Sequence, residues 1–282
     1  FNIGGGRRQS SSVAFLHPVL HRSNLDLIVN AHVVKIDFEN NKAVGVTYIK
    51  GGNIRSVRVD REVILSSGAF NSPQILMLSG IGPADHLREV EIEPRLDVQD
   101  VGANLQDHPS IMIEHKRSQT SDFHRWLRLD RLSIIMLRAF LFRRGPATMP
   151  LGFGTGFVKS GPEVALPDIQ LFFRLFSMHA HEWFPVFKPA GEDGLGFLAC
   201  HLRPESRGTV RLRSSNPLDH PRIVNNFFST EYDRRAIRQS FKYLRKIACG
   251  SSFEGVRGDE SVPGKDVQSD DEIDACIPIG KT

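Results

Sequence analysis

The first third of the chain contains a glycine turn leading into a helix start, an arrangement that can bind phosphate. An apolar run at residues 62–66 has the composition of a strand that is buried on both faces. Ser67, Gly68 and Ala69 then form the turn, and an Asn-Ser-Pro triplet at 71–73 is typical of a helix start. Backbone N–H groups point outward at such a turn and the helix dipole adds positive potential, so a pyrophosphate is a suitable ligand. An ordinary strand–helix connection has the same pattern.

Two histidines, His179 and His181, precede Glu182 in an arrangement that resembles part of a metal site. On a strand, the two rings would share one face and the carboxylate would lie on the other. No third ligand stands at a recognised spacing, so we predict no bound metal. Asp107 and His108 are adjacent and would point in opposite directions in an extended segment, which favours a structural loop over an acid–base pair.

Composition narrows the class of protein. Of the 282 residues, 40% are hydrophobic and 24% charged, which is typical of a globular domain. The net charge of +4 is small for this length, and the arginine-rich stretches at 125–144 and 234–245 are not interleaved with aromatic residues as on a stacking platform, so we predict no nucleic-acid binding.

No run approaches the roughly 18 apolar residues of a transmembrane segment. Three widely spaced cysteines without a CxxC pair favour a reducing compartment, and we predict a cytoplasmic location.

Strand patterns dominate both parts of the chain. In the first part we predict a helix at 74–79 and strands at 25–29, 32–38, 43–49 and 62–66. In the second part we predict helices at 125–143 and 229–248 and strands at 153–158, 168–176, 195–202 and 208–212. Strands with only occasional helices favour an α+β unit built on an antiparallel sheet. The predicted fold class is therefore α/β plus α+β, with a boundary near residue 110.

Four motif blocks carry a family resemblance. Residues 68–82 read Gly-Ala-Phe-Asn-Ser-Pro-Gln-Ile-Leu-Met-Leu-Ser-Gly-Ile-Gly, which closely resembles the second signature of the glucose–methanol–choline (GMC) oxidoreductases. Val-Gly-Ala-Asn-Leu-Gln-Asp-His at 101–108 and Leu-Arg-Pro-Glu-Ser-Arg-Gly-Thr-Val at 202–210 resemble further segments of that family. Together with residues 6–18 they stand in the family's order and cover nearly the whole chain.

The resemblance implies a two-domain flavoprotein that oxidises a small alcohol to a carbonyl compound by hydride transfer to FAD. It makes residues 1–110 part of a FAD-binding, Rossmann-like domain, and residues 111–282 an antiparallel-sheet substrate-binding domain. Residues 178–182 would then line or cover the substrate pocket. Within the family, the choline-dehydrogenase-like alcohol dehydrogenases are the most similar, notably at 145–148 and 166–170.

The resemblance also implies which residues contact FAD. In that family the backbone of a valine in an Ala-x-Val strand meets the adenine half of the cofactor. The motif here is Ala31-His32-Val33, so Val33 takes that role. The turn at Ser67, Gly68 and Ala69 would lie against the dinucleotide.

The chain departs from the family pattern in two places. No Gly-x-Gly-x-x-Gly fingerprint follows a strand, and the family's His-Pro-x-Gly-Thr segment with its catalytic histidine is not found before Thr282. We therefore expect no catalytic residue within 1–282, and we expect the chain alone to be inactive and to hold FAD weakly. A non-catalytic binding or structural protein with the same fold is the alternative. Oxygen, a quinone and a dye-like carrier stay open as the electron acceptor, and the oligomeric state stays open too.

Overall fold

The protein is described by a computed structural model over residues 3–148 and 154–277. Its strands are β1 Ile3–Gly4, β2 Arg7–Arg8, β3 His32–Glu39, β4 Lys42–Lys50, β5 Asn53–Arg58, β6 Ile81–Gly82, β7 Leu96–Asp97, β8 Ser110–Arg117, β9 Gly154–Val158, β10 Ile169–Arg174, β11 Gly194–His201, β12 Thr209–Arg211, β13 Arg222–Val224 and β14 Arg257–Val262. Its α-helices are α1 Gly68–Leu78, α2 Ala84–Glu89, α3 Asp122–Trp126, α4 Leu129–Phe142, α5 Glu231–Ala248 and α6 Asp270–Cys276. Over the described ranges, none of the helices has both the length and the apolar composition that a membrane span requires.

Two compact units interleave along the sequence. The hairpin unit consists of Arg22–Asp107 and Ser206–Ser229. The sheet unit consists of the described residues of Phe1–His21, His108–Glu205 and Thr230–Lys281. The chain thus returns from the sheet unit to the hairpin unit for one short segment, which we call the returning segment (Ser206–Ser229).

An antiparallel meander of β3, β4 and β5 forms the first part of the hairpin unit. Asn40 adopts φ +52 in the β3–β4 turn, a conformation that asparagine tolerates better than most residues. Helix α1 packs against β3. Met77 and Leu87 are fully buried together with Leu212 of the returning segment. The core of the hairpin unit therefore depends on both of its chain segments.

Two of the GMC-like motif blocks are joined by backbone hydrogen bonds. Leu105 and Gly208 exchange N–H···O=C bonds of 3.0 and 2.8 Å, and the N–H of Val210 donates to the carbonyl oxygen of Gly102 at 2.7 Å. A Cβ atom on Gly102 would lie 2.2 Å from the carbonyl oxygen of Val210. A Cβ atom on Gly208 would lie 2.1 Å from the carbonyl oxygen of Val224. Only glycine allows the two backbones to approach this closely.

Two strands expected in the first part of the chain are not formed. Residues 25–29 and 62–66 belong to no sheet, and Leu27 and Ile64 are 50% and 79% exposed. The prediction of strands there, and of burial on both faces at 62–66, is wrong. An apolar run becomes a strand only where a neighbouring strand completes its backbone hydrogen bonds, and no described strand lies beside either run.

The helix after the glycine turn begins earlier than the sequence predicts. Helix α1 starts at Gly68 and contains Pro73 in its interior, although the triplet at 71–73 was expected to form the start. Gly68 adopts φ +85, which turns the chain directly into the helix. The hydroxyl of Ser72 accepts a hydrogen bond from the N–H of Ser67 at 3.1 Å. The capping contact therefore comes from inside the helix.

A five-stranded antiparallel sheet in the order β14–β8–β11–β10–β9 forms the centre of the sheet unit. Leu195 and Phe197 of the central strand β11 are 2% or less exposed. Helix α5 packs across β11 and β8, with Ile237, Phe241 and Leu244 buried at 3.6-residue spacing. The predicted α+β unit on an antiparallel sheet is confirmed.

The elements predicted for the second part are found with shifted ends. Strands β9, β10, β11 and β12 and helix α5 lie within or next to the predicted ranges, and Phe153 at the start of one range lies outside the described residues. The single helix predicted at 125–143 is two helices, α3 and α4, which Leu127 and Arg128 separate. Strands β8, β13 and β14 and helix α6 were not predicted.

Candidate cofactor-binding site

A cavity of about 320 Å³ lies within the hairpin unit. Two of the residues expected to contact a dinucleotide, Val33 and Ser67, line it. The other lining residues come from the chain around β3, from α1 and from the returning segment: Ala31, His32, Asn71, Gln74, Ile75, Leu78, Pro217, Leu218, Asp219 and His220. We call this the hairpin cavity.

One wall of the hairpin cavity is the open edge of β3. Because β4 is the one described strand that pairs with β3, alternate backbone groups of β3 point away from the sheet. Ser79 satisfies one of them: its hydroxyl accepts from the N–H of Ile36 at 2.9 Å and donates to the carbonyl oxygen of Ile75 at 2.6 Å. Val33 lies on the same strand, opposite Tyr48 and beside an irregularity in the register. A ligand in the cavity can therefore approach the backbone of β3.

The glycine turn lies at the border of the hairpin cavity. Ser67 lines the cavity, whereas Gly68 and Ala69 begin α1 and are exposed without lining it. Apart from its chain neighbours and the backbone of α1, no described atom lies within 4 Å of the position that a Cβ of Gly68 would take. The first N–H groups of α1 are therefore accessible to an anion.

A loop of the returning segment closes the cavity on another side. The Asp219 carboxylate orders this loop, since it accepts from the Ser214 hydroxyl at 2.5 Å and from the Asn216 amide at 3.0 Å. The Nε2–H of His32 donates to the carbonyl oxygen of Pro217 at 2.9 Å. The Gln74 amide donates to the carbonyl oxygen of Asp219, also at 2.9 Å.

Gln74 and the 214–220 loop were not singled out from the sequence. Gln74 lies inside the recognised motif, yet nothing in that motif indicates a partner 145 residues away. The contact follows from the packing of the returning segment against α1, which local sequence patterns do not encode.

The residues present fit one end of FAD. Ligand pockets commonly measure about 300–1,000 Å³, and the hairpin cavity stands at the lower end of that range, too small for the whole cofactor. Val33, Ile75 and Leu78 supply apolar surface, and Gln74 and Asp219 add polar groups. A narrow cavity with apolar walls and a few fixed polar groups suits a flat heteroaromatic ring such as adenine.

The remaining sequence candidates form no second site. In the described ranges 3–148 and 154–277, no three His, Cys, Asp or Glu side chains are placed to hold a metal ion. Glu182 accepts a hydrogen bond from Lys188 at 2.8 Å, and this bond lowers the pKa of the Glu182 carboxyl. The Nδ1–H of His181 donates to the carbonyl oxygen of Glu182 at 2.9 Å. Asp107 and His108 lie in an exposed segment without regular structure, as the loop interpretation expects.

Buried titratable groups also occur in the sheet unit, where they hold α5 in place. His201, Asp168 and Asp233 are fully buried. The Asp233 carboxylate accepts from the N–H of Glu205 at 2.8 Å and lies 3.3 Å from Nε2 of His201. The hydroxyl of Tyr232 donates to Asp168 at 3.3 Å, and burial together with this carboxylate raises the pKa of the Tyr232 phenol. These bonds run between protein groups, so the cluster stabilises the packing of α5.

Comparison with known proteins places the chain among flavoenzymes. Family profiles described as GMC oxidoreductase match residues 2–110 and residues 204–278. Choline dehydrogenase, mitochondrial, from Mus musculus is 41% identical over 96% of this chain and 45% of its own length. Oxygen-dependent choline dehydrogenase from Staphylococcus xylosus is 36% identical over 96% of this chain and 48% of its own length. The chain thus spans about half the length of the curated relatives it matches.

A solved structure agrees with this relationship. A formate oxidase variant from Aspergillus oryzae, whose structure concerns modification of its FAD, superimposes with a TM-score of 0.82 at 26% identity. The superposition covers 97% of this chain and 52% of the oxidase. Three observations therefore agree: the sequence motifs, the fold and the identity to curated relatives. The chain belongs to the GMC oxidoreductase family, whose members depend on FAD.

Proposed function

We propose that this chain is part of an oxidoreductase that oxidises a small alcohol to a carbonyl compound, and that the hairpin cavity takes the adenine end of FAD. The observation that carries the proposal is the meeting of Val33 and Ser67 at one cavity of fitting size. Two relatives are named choline dehydrogenases, so choline and similar primary alcohols are the proposed substrate class.

Each part of the cavity has a proposed task. The backbone of Val33 meets the adenine ring, while the N–H groups of Gly68 and Ala69, in the turn after Ser67, face the pyrophosphate. His32 and Gln74 act indirectly, because they hold the 214–220 loop against the cavity. When bound, FAD supplies the hydride acceptor for alcohol oxidation.

The rest of the chain is assigned by the same proposal. Residues 1–110 contribute to FAD binding, and residues 111–282 contribute to substrate binding except for the returning segment, which lines the hairpin cavity. No catalytic acid or base is assigned within 1–282. A cytoplasmic location stays a prediction, and the mouse relative is named as mitochondrial. Since the Staphylococcus xylosus relative is named oxygen-dependent, oxygen is one acceptor to compare with a quinone.

The proposal is tested by filling the cavity of the full-length protein. Ala31→Phe places a ring in the space proposed for adenine, so we expect the Kd for FAD, and for ADP as a probe of the adenine end, to rise by about tenfold or more. Both constants are measured by titration calorimetry. Ala43→Phe is the matched control, because Ala43 is half-buried on β4 and does not line the cavity.

Two outcomes would contradict the proposal. Unchanged FAD and ADP affinities in Ala31→Phe would show that the adenine end of FAD does not bind in this cavity. A purified full-length protein that binds no FAD, and whose flavin absorbance is never bleached by choline or other alcohols, would favour the non-catalytic alternative.

A further inference from the structure

Helix α4 of the sheet unit carries an apolar face that no described residue covers. It has no buried residue along its 14 positions. Leu132, Ile135 and Ala139 are half-buried, whereas Phe140 is 75% exposed and Leu137 57% exposed. At 100° per residue, Ile134, Met136, Leu137, Phe140 and Leu141 cover an arc of about 160° on the outer side. An apolar arc of this width is unusual for a helix side facing water.

A second exposed apolar element is anchored at the start of α4. The N–H of Leu129 donates to the carbonyl oxygen of Trp183 at 2.9 Å. In return, the N–H of Trp183 donates to the carbonyl oxygen of Leu127 at 3.1 Å. Trp183 is itself held, because its ring N–H donates to the carbonyl oxygen of His124. Phe187, in the loop that follows Trp183, is 83% exposed. We call this loop and the outer side of α4 the α4 patch.

The charge of the chain is concentrated around this patch. Residues 125–144 contain six arginines and one aspartate, a net charge of +5, whereas the whole chain has +4. Arg125 and Arg128 pair with neighbouring aspartates. For the other four, no ion pair is found with any described residue: Arg131, Arg138, Arg143 and Arg144. Exposed apolar side chains bordered by unpaired arginines are the features of a helix that lies in the surface of an anionic bilayer.

We propose that the α4 patch docks on an anionic lipid surface. Helix α4 is about 21 Å long, so it is too short to cross a bilayer and would lie in its plane. Phe140, Leu137 and Phe187 enter the acyl boundary, while the arginines contact lipid phosphates. The charge of the patch favours this occupant over an uncharged apolar protein surface, because burial against protein would leave the arginines without partners.

The test uses the full-length protein and needs no bound flavin, so its failure is separate from failure of the proposed function. Cosedimentation is measured with vesicles of phosphatidylcholine alone and mixed with phosphatidylserine. We expect binding to the mixed vesicles that weakens with salt. Arg138→Gln/Arg144→Gln should lower the partition coefficient roughly 25-fold, at about fivefold for each arginine. Leu137→Ser/Phe140→Ser should lower it by roughly tenfold or more.

Matched controls lie on the hairpin unit. Arg55→Gln/Arg61→Gln removes the same charge from exposed positions, and Ile54→Ser removes a side chain that is 75% exposed. Neither should change vesicle binding. Absence of binding, or equal losses in patch and control variants, would overturn the proposal.

Two further measurements decide between the membrane and other occupants. If the face were covered within the full-length protein, Leu137→Ser/Phe140→Ser would lower its Tm by more than about 5 °C, and this result would overturn the proposal. If a second copy occupied the face, wild type would sediment as a dimer and the patch variants as monomers, which would also overturn it. Unchanged Tm and sedimentation together with lost vesicle binding would support it.

Discussion

The Nε2–H of His32 donates to the backbone carbonyl oxygen of Pro217 at 2.9 Å, across 185 positions of sequence. This bond joins the start of β3 to the loop of the returning segment, so both walls of the hairpin cavity are held by it. Together with the bond from Gln74 to Asp219, it makes the shape of the cavity dependent on residues far from the glycine turn.

Removal of the hydrogen bond between His32 and Pro217 should weaken ligand binding in the hairpin cavity more than it lowers the stability of the protein. His32→Ala loses a hydrogen bond worth about 1 kcal/mol, so we expect the Kd of the full-length protein for ADP to rise about fivefold. The Tm should change by less than a few degrees, because the bond is exposed. His21→Ala, at an exposed position outside the cavity, is the control. An unchanged Kd would mean that the loop does not need His32.

Gly102 should be intolerant of any side chain. In Gly102→Ala, the Cβ would meet the Val210 carbonyl oxygen at 2.2 Å in a residue with φ +73, so we expect a loss of about 2–4 kcal/mol in the free energy of unfolding. Urea denaturation measures this loss. Gly51→Ala is the matched control and should cost only about 1 kcal/mol, since Gly51 has φ +59 but no described atom other than those of its chain neighbours lies within 4 Å of its Cβ position. Equal losses in the two variants would contradict the steric argument.

The ion pair between Arg245 and Glu260 should contribute more than exposed pairs. The guanidinium donates to both carboxylate oxygens at 2.9 and 2.7 Å, and the side chains are 18% and 9% exposed. Glu260→Gln should therefore lower the free energy of unfolding by about 2–4 kcal/mol. Glu39→Gln breaks the exposed pair with Arg58 and should cost less than about 1 kcal/mol. A double-mutant cycle for each pair checks the difference, and comparable coupling energies would refute it.

His115 should make stability depend on pH. Burial lowers the pKa of the His115 imidazole below its ordinary value of 6.5, and its Nδ1–H donates to the Gly258 carbonyl oxygen at 3.1 Å. As the pH falls below 6.5, the unfolded chain takes up a proton that the folded protein excludes, so stability decreases until the pH reaches the folded pKa. Stability contributed by the neutral ring is thus fully present above that range.

The matched variant is His115→Asn, which keeps an N–H donor for Gly258 but has no titrating group. We expect its free energy of unfolding to vary less than that of wild type between about pH 5 and pH 6.5. Urea melts at several pH values measure the slope. His21→Asn should retain the wild-type slope, and an unchanged slope in His115→Asn would assign the dependence to another group.

Local patterns predicted the sheet unit well. Short apolar runs rich in Leu and Phe gave β10 and β11, and the spacing of Ile237, Phe241 and Leu244 gave the buried face of α5. The pattern was less informative at 125–143, where apolar residues occur on nearly every side of α4, so periodicity did not reveal the break at Leu127 and Arg128.

Long-range pairing explains the failures. The apolar run at 62–66 has strand composition, yet a strand needs a partner for its N–H and C=O groups, and composition does not contain that partner. Pro73 was expected at a helix start because proline is common there. The positive φ of Gly68 and the internal cap from Ser72 moved the start to Gly68.

The sequence by itself determined the family and indicated which residues to examine. Short motifs such as those at 68–82 and 102–108 can be recognised because their backbone conformations permit only certain residue types. Only the tertiary structure decided that Val33 and Ser67 meet at one cavity, that the returning segment closes it, and that the arginines of α4 border an uncovered apolar face. The physical reason is that such contacts join residues distant along the chain. These contacts form only when whole helices and strands pack together, whereas the spacing of residue types in the sequence carries information about residues that are close along the chain.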